Sequence, residues 1–324
     1  MTESPTWILL ATYDGERFLR RQLASLFAQT DRNWRLLVRD DGSSDRTPAL
    51  LGAAAAADAR VRVVDDDGGR LGSSRNFFRL MHAALAEGAD YFAFCDQDDI
   101  WQPDKLATLR AALRAGERAA APCLVYSDLS WIDARGDEIA RSHFRASCGG
   151  MPEQDHRWLM AMNLIPGCAM LGNRALLECA LRRMDLAHHD WWVALAAAAM
   201  GELVRVERPL LAYRLHGGNA IGARSLLARC IGFVLRPLDQ LARGYEVHWA
   251  AVDNARALLV AAGACSLNPG WRADLEAVVA ELGSPRRARR VRAALAGPAR
   301  RVGSARRLLA VVAALKDPPS DAGV

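Results

Sequence analysis

Lysine is almost missing from this chain. Lys105 and Lys316 are the only two among 42 Lys and Arg in 324 residues. Arginine therefore carries nearly all the positive charge, a bias that, with the abundant alanine, excludes no function. The seven cysteines, Cys95, Cys123, Cys148, Cys168, Cys179, Cys230 and Cys265, form no C-x-x-C pair and show no metal spacing. They predict buried free thiols in a reducing compartment. No apolar run approaches the ~18 residues of a spanning helix, so no membrane span is predicted. Thr2 to Pro5 is polar and strand-like residues follow at once, so no secretory leader is predicted either. No G-x-G-x-x-G follows the first apolar run and no G-x-x-x-x-G-K-[ST] occurs. Both an ordinary dinucleotide-binding dehydrogenase and a P-loop NTPase are disfavoured.

What is present suits a soluble globular protein with one large domain and an extension. The net charge of +5 is uneven. From Ser225 onward there are 15 Lys/Arg against 8 Asp/Glu, and nine arginines fall between Pro285 and Arg307 with no acid among them.

Apolar runs at Trp7–Ala11, Trp34–Val38, Val61–Val64 and Tyr91–Cys95 read as buried strands. The intervening stretches are helical: Phe18, Leu19, Leu23, Leu26 and Phe27 recur at helical spacing, Thr47–Ala57 is alanine-rich, and Ser73 or Ser74 is placed to cap the third. Strands that are apolar throughout and alternate with helices predict a mostly parallel sheet covered on both faces. Ligands bind such sheets at the carboxyl ends of the strands. The polar loops Thr12–Gly15, Asp40–Asp45 and Asp96–Asp99 should therefore converge. Further on, a helix over Leu106–Arg114, a strand over Cys123–Tyr126 and a loop over 135–150 are expected. A helix from His188 to Met200 and short strands at Leu203–Val206 and Leu210–Tyr213 complete the pattern.

The densest signal lies in Asp96-Gln97-Asp98-Asp99, three carboxylates in four positions after a buried strand. Adjacent carboxylates repel unless something positive neutralises them, and a hard divalent cation such as Mg²⁺ or Mn²⁺ prefers such oxygen ligands. Continued extended backbone would aim Asp96 and Asp98 at one ion and turn Asp99 away.

Six pieces in order resemble the family 2 glycosyltransferases. They are Ala11-Thr12-Tyr13-Asp14-Gly15, Asp40-Asp41-Gly42-Ser43-Ser44-Asp45-Arg46-Thr47, Asp96-Gln97-Asp98-Asp99-Ile100-Trp101 with Pro103 and Lys105, Pro166-Gly167-Cys168, His189-Asp190-Trp191-Trp192, and Tyr213-Arg214-Leu215-His216 with Asn219. The resemblance covers about residues 6–222. It implies an α/β GT-A fold, Rossmann-like, plus a C-terminal helical extension. The division would be 1–224 for the GT-A domain, 225–316 for a basic helical region and 317–324 for a disordered tail. The Asp-Gln-Asp-Asp-Ile-Trp version is most similar to bacterial rhamnosyltransferase-type members. Asp14 departs from the commoner Asn. The Q-x-x-R-W motif of processive members is absent, which implies transfer of one sugar at a time.

The resemblance also implies roles. Thr12, Tyr13, Asp40, Asp41, Arg75 and Asp96 would bind the donor nucleotide, with Asp41 accepting from the base of a dTDP- or UDP-sugar. Asp96, Asp98 and His216 would hold Mn²⁺ or Mg²⁺. Asp190 would be the general base of an inverting transfer. Gly167, Trp191, Trp192 and Arg214 would meet acceptor or phosphate. The acceptor would be a glycan or a polyprenyl-diphosphate-linked sugar. The location would be cytoplasmic, with peripheral contact at the inner face of the plasma membrane through the basic C-terminal region, and no nucleic acid partner. Two alternatives stand beside this: a non-catalytic GT-A scaffold that binds nucleotide or glycan, and a phosphatase of the haloacid dehalogenase type. The latter places its acidic motif on the first strand and needs a downstream lysine, whereas here the motif follows the fourth strand.

Overall fold

The fold is described from a computed structural model, which covers residues 3–64, 69–118, 120–148, 159–160, 163–183, 188–216, 237–262, 266–286, 289–290 and 293. The four apolar runs form the parallel half of one sheet. β1 (Thr6–Thr12) lies between β2 (Trp34–Asp40) and β4 (Tyr91–Cys95), and β3 (Val61–Val63) pairs with β2 on the outside. Ile8, Leu9 and Leu10 are all fully buried. Leu9 enters one core cluster and Ile8 and Leu10 the other, so the strand is covered on both faces with a period of two. The crossings are α1 (Glu16–Phe27), α2 (Thr47–Ala57) and α3 (Ser73–Ala86). The registers Thr12↔Asp40 and Leu10↔Cys95 set three strand ends side by side.

The second half is mixed. In chain order it comprises β5 (Ile100–Trp101), α4 (Lys105–Gly116), β6 (Cys123–Ile132), β7 (Glu138–Ala140) and α5 (His143–Cys148). A 3-10 turn (Gly167–Ala169), β8 (Met170–Asn173), α6 (Arg174–Ala180), α7 (His189–Met200) and β9 (Glu202–Arg214) follow. The sheet runs β3-β2-β1-β4-β8-β6-β9-β5, with β7 beside β6. β8 is antiparallel to both β4 and β6, while β6 and β9 run parallel.

Three local expectations change. The two short strands near 203 and 210 are one, β9, whose register on β6 slips around Pro209 because proline has no N–H for the ladder. The segment expected as loop over 135–150 holds β7 and α5, and the start of α5 is fixed from a distance. Asp128 on β6 accepts from Ser142 Oγ at 2.5 Å and from the N–H groups of His143 and Phe144. Neither Ser73 nor Ser74 caps α3; Gly72 precedes it without a side-chain cap.

The C-terminal extension is helical where described. α8 (Pro237–Ala261) and α9 (Trp271–Leu282) pack together, and α8 rests on α7. Ala251, Ala255, Leu258, Trp271 and Leu275 join the same core cluster as Leu9, Phe92 and Trp191. The expected boundary at 224 and the tail at 317–324 lie outside the described residues. Cys95, Cys123 and Cys168 are buried free thiols, and Cys179 is buried beside Met200. Among the described residues no helix is long and apolar enough to cross a membrane.

Candidate active site

The ends of β1 and β2 are laced together by side chains acting on backbone. Thr12 Oγ1 donates to Asp40 Oδ1 at 2.7 Å, and Asp40 also accepts the Ser43 N–H and hydroxyl at 2.8 and 2.6 Å. Asp14 stands at φ 45°, a left-handed position that short polar residues tolerate, and accepts the Ser44 N–H at 2.8 Å. Asp41 is buried. Its Oδ1 accepts from Arg39 at 2.9 Å and from the Leu71 N–H at 2.7 Å, and its Oδ2 accepts the Gly72 N–H at 2.7 Å. Asp41 thus closes the entry to α3, the job expected of a serine there. Arg70 lies over the Tyr13 ring, and Arg75 is exposed on α3.

The β4 end is built differently. β4 stops at Cys95 and the acids turn immediately, so the alternation expected to aim Asp99 away does not persist. Ligand atoms of Asp96, Asp99 and Cys168 lie within 4.8 Å of one another. Asp99 is fully buried; its Oδ1 accepts the Arg214 N–H at 3.1 Å, and its Oδ2 has no hydrogen-bond partner. Asp98 Oδ2 stands 2.6 Å from His216 Nε2. Desolvation, then the charges of Asp98 and Asp190, raises the Asp96 pKa to about 7. Desolvation and the same crowding push Asp99 well above the usual carboxylate range. The buried Tyr213 hydroxyl is pushed up by desolvation and by these acids.

Asp190 opens α7 and is 8 % exposed. The Gly167 N–H donates to its Oδ2 at 3.3 Å. A Cβ on Gly167 would meet Asp190 Cβ and His189 Nε2, each at 3.2 Å, so glycine here lets the helix start come close to the turn. His189 is stacked on Phe77 with centroids 4.1 Å apart, and desolvation lowers its pKa to about 4.

Two expectations are corrected by burial. Trp191 and Trp192 are fully buried, with their ring N–H groups on Leu159 O and Ala180 O. They are core residues and present no face to a sugar. Arg214 is also fully buried; it donates to Asp98 O at 2.8 Å and Asp133 O at 3.0 Å. It braces the acidic loop instead of reaching for phosphate. Asn219, quoted with His216 in the motif, lies outside the described residues.

Two contributors carried no role in the sequence reading. The Gln97 amide bonds both backbone groups of Tyr13, each at 2.9 Å, joining the first and fourth strand ends. Lys105 is buried beneath the acids. Its rarity was the available signal: it is one of two lysines and sits in the acidic motif.

The sequence profile of glycosyl transferase family 2 matches residues 7–181. The dTDP-rhamnosyl transferase RfbG of Shigella flexneri is 26% identical over 229 residues, covering 66% of this chain and 74% of its own. The UDP-Glc:alpha-D-GlcNAc-diphosphoundecaprenol beta-1,3-glucosyltransferase WfgD of Escherichia coli is 30% identical over 99 residues, 31% of this chain and 37% of its own. In three dimensions the chain is similar to TarS 1-349 of S. aureus, crystallised with UDP-GlcNAc. The TM-score is 0.56 at 13% identity, over 96% of this chain and 89% of that one. That likeness, with the curled and largely parallel sheet, shows the GT-A fold. With more than half of its length matched by the profile, and the strand-end loops gathered as that fold requires, the chain belongs to glycosyl transferase family 2.

Proposed function

We propose that this protein is an inverting, metal-dependent glycosyltransferase that moves one sugar from a nucleoside diphosphate donor to a glycan or polyprenyl-diphosphate-linked acceptor. The observation that carries the proposal is the crowding of Asp96, Asp98 and Asp99 after β4, with His216 2.6 Å from Asp98 and Asp190 close enough for its charge to act on Asp96. The donor set fits a hard divalent cation. It offers carboxylate oxygens and an imidazole, one buried oxygen of Asp99 lacks a partner, and desolvation together with the crowding of like charges raises Asp96 and Asp99, a cost that a cation would relieve. Asp96, Asp98 and His216 would hold Mn²⁺ or Mg²⁺, which when bound neutralises charge on the diphosphate leaving group. Asp190 takes the acceptor hydroxyl's proton as that oxygen attacks the anomeric carbon from the face opposite the diphosphate. Gly167 holds the Asp190 carboxylate toward the crevice through its N–H. Thr12, Asp40 and Asp41 shape the nucleotide side, and Asp41 Oδ2, which takes only the Gly72 N–H, keeps a lone pair for a base N–H. The likeness to RfbG supports dTDP-rhamnose as the donor, and the likeness to WfgD supports a lipid-linked acceptor.

The test is thermal stability against dTDP, UDP, GDP and CDP with and without Mn²⁺, followed by nucleotide release with sugar donors. A Mn²⁺-dependent rise with dTDP that is lost in Asp98→Asn is the expected result. Asp190→Asn should keep the rise and lose turnover by ~10²–10⁴-fold, the worth of a positioned base. Full turnover in Asp190→Asn would remove it as the base. No stabilisation by any nucleotide would favour a non-catalytic scaffold.

A further inference from the structure

Lys105 has no part in the chemistry just described, yet it occupies the centre of the acidic end of the sheet. It is fully buried at the start of α4. Its Nζ donates to Cys168 O at 2.5 Å and lies 3.4 Å from the centroid of the Trp101 ring. A buried ammonium is costly unless opposite charge and hydrogen bonds compensate it. Desolvation lowers its pKa to about 8, and the nearby Asp99 and Asp96 act against that loss. The turn that accepts its proton also carries Gly167, whose N–H reaches Asp190.

We infer that Lys105 is a positioning residue with two tasks: its charge offsets Asp96 and Asp99 while no metal is bound, and its bond to Cys168 ties the Gly167–Ala169 turn, and through it Asp190, to the acidic loop. The inference rests on the function proposed above. The two tasks separate by substitution. Lys105→Gln removes the charge and keeps a donor for Cys168 O. Lys105→Met, of similar length, removes both.

A unit charge a few ångströms from a divalent ion opposes its binding, so both variants should bind Mn²⁺ more tightly than wild type, by at least ~10-fold. The readout is direct: the paramagnetic resonance signal of free Mn²⁺, titrated against full-length protein. In the same preparations kcat should fall ~10–100-fold in Lys105→Met, as expected when a base is misplaced. Lys105→Gln should keep most of the wild-type kcat, with the donor KM unchanged in both. A residue that merely supports the fold would lower the melting temperature and leave Mn²⁺ affinity where it was. Unchanged Mn²⁺ affinity in folded variants therefore overturns the charge role. A kcat in Lys105→Met equal to that of Lys105→Gln overturns the positioning role. Should Lys105→Met fail to fold, Lys105→Gln alone still decides the charge role, and its near-normal kcat beside tighter Mn²⁺ is the supporting result. Wild type that binds no Mn²⁺ overturns the metal-dependent function itself, an outcome distinct from variants that bind as wild type does.

Discussion

The ends of β2 and β4 carry the same residue type in opposite circumstances. After β2, each oxygen of Asp40 and Asp41 meets an N–H, a hydroxyl or a guanidinium. After β4, Asp96 and Asp99 are pressed against each other and Asp98, and burial with that crowding raises both above the usual carboxylate range. Satisfied carboxylates build a loop. Crowded ones store a deficit that a cation, or a neighbouring ammonium, can relieve. An acidic motif is therefore read by what its oxygens already touch.

The comparison breaks most visibly at Asp41. Asp41→Ala removes the carboxylate that neutralises the buried Arg39 and should cost ~3–5 kcal/mol of stability by chemical denaturation. A loss below ~1 kcal/mol would mean that the β2 end is not the built structure described. Next comes His189, buried neutral beside Asp190. Its folded pKa of about 4 lies below the ordinary 6.5. The unfolded chain thus takes up the proton first as pH falls. The stabilisation is whole above pH 6.5 and is lost toward pH 4, an effect of ~3 kcal/mol. His189→Phe, which keeps the ring on Phe77, should flatten that part of the pH–stability curve.

The third prediction concerns the crowded end directly. Asp96 must lose its proton to bind a metal, so Mn²⁺ affinity should weaken ~10-fold per pH unit below 7 and level off above it. A flat profile between pH 5 and 7, roughly the window of that proton, would show that Asp96 is not a ligand. The smallest effect sharpens the contrast by its sign. Asp99→Asn keeps an oxygen for the Arg214 N–H and removes one of the crowded acids, so the metal-free protein should gain ~1 kcal/mol or less, where Asp41→Asn loses stability.

Much of this was legible in the chain, for stated reasons. β1, β2 and β4 announce themselves because strands buried on both faces need unbroken apolar runs, and the strand-end rule then places Thr12, Asp40 and Asp96 together. What was hidden depends on partners far away in sequence. Asp128 fixes α5 from 14 residues upstream. Asp41 does the work of a cap 31 positions away. The burial of Trp191, Trp192 and Arg214 follows from what packs around them, which spacing cannot express. The turn after Cys95 likewise undid a rule that holds only while backbone stays extended.

One last consequence follows from the amide that bridges β1 and β4. A Cβ on Gly15 would stand 2.2 Å from Gln97 Oε1, and that oxygen already holds the Tyr13 N–H. Positions 15 and 97 are therefore coupled in one direction. A side chain at position 15 requires the Gln97 amide to swing away and give up its bonds to Tyr13, whereas Gly15 sets no such obstacle to a change at 97. The middle letter of the acidic motif thus limits what the loop after the first strand can carry.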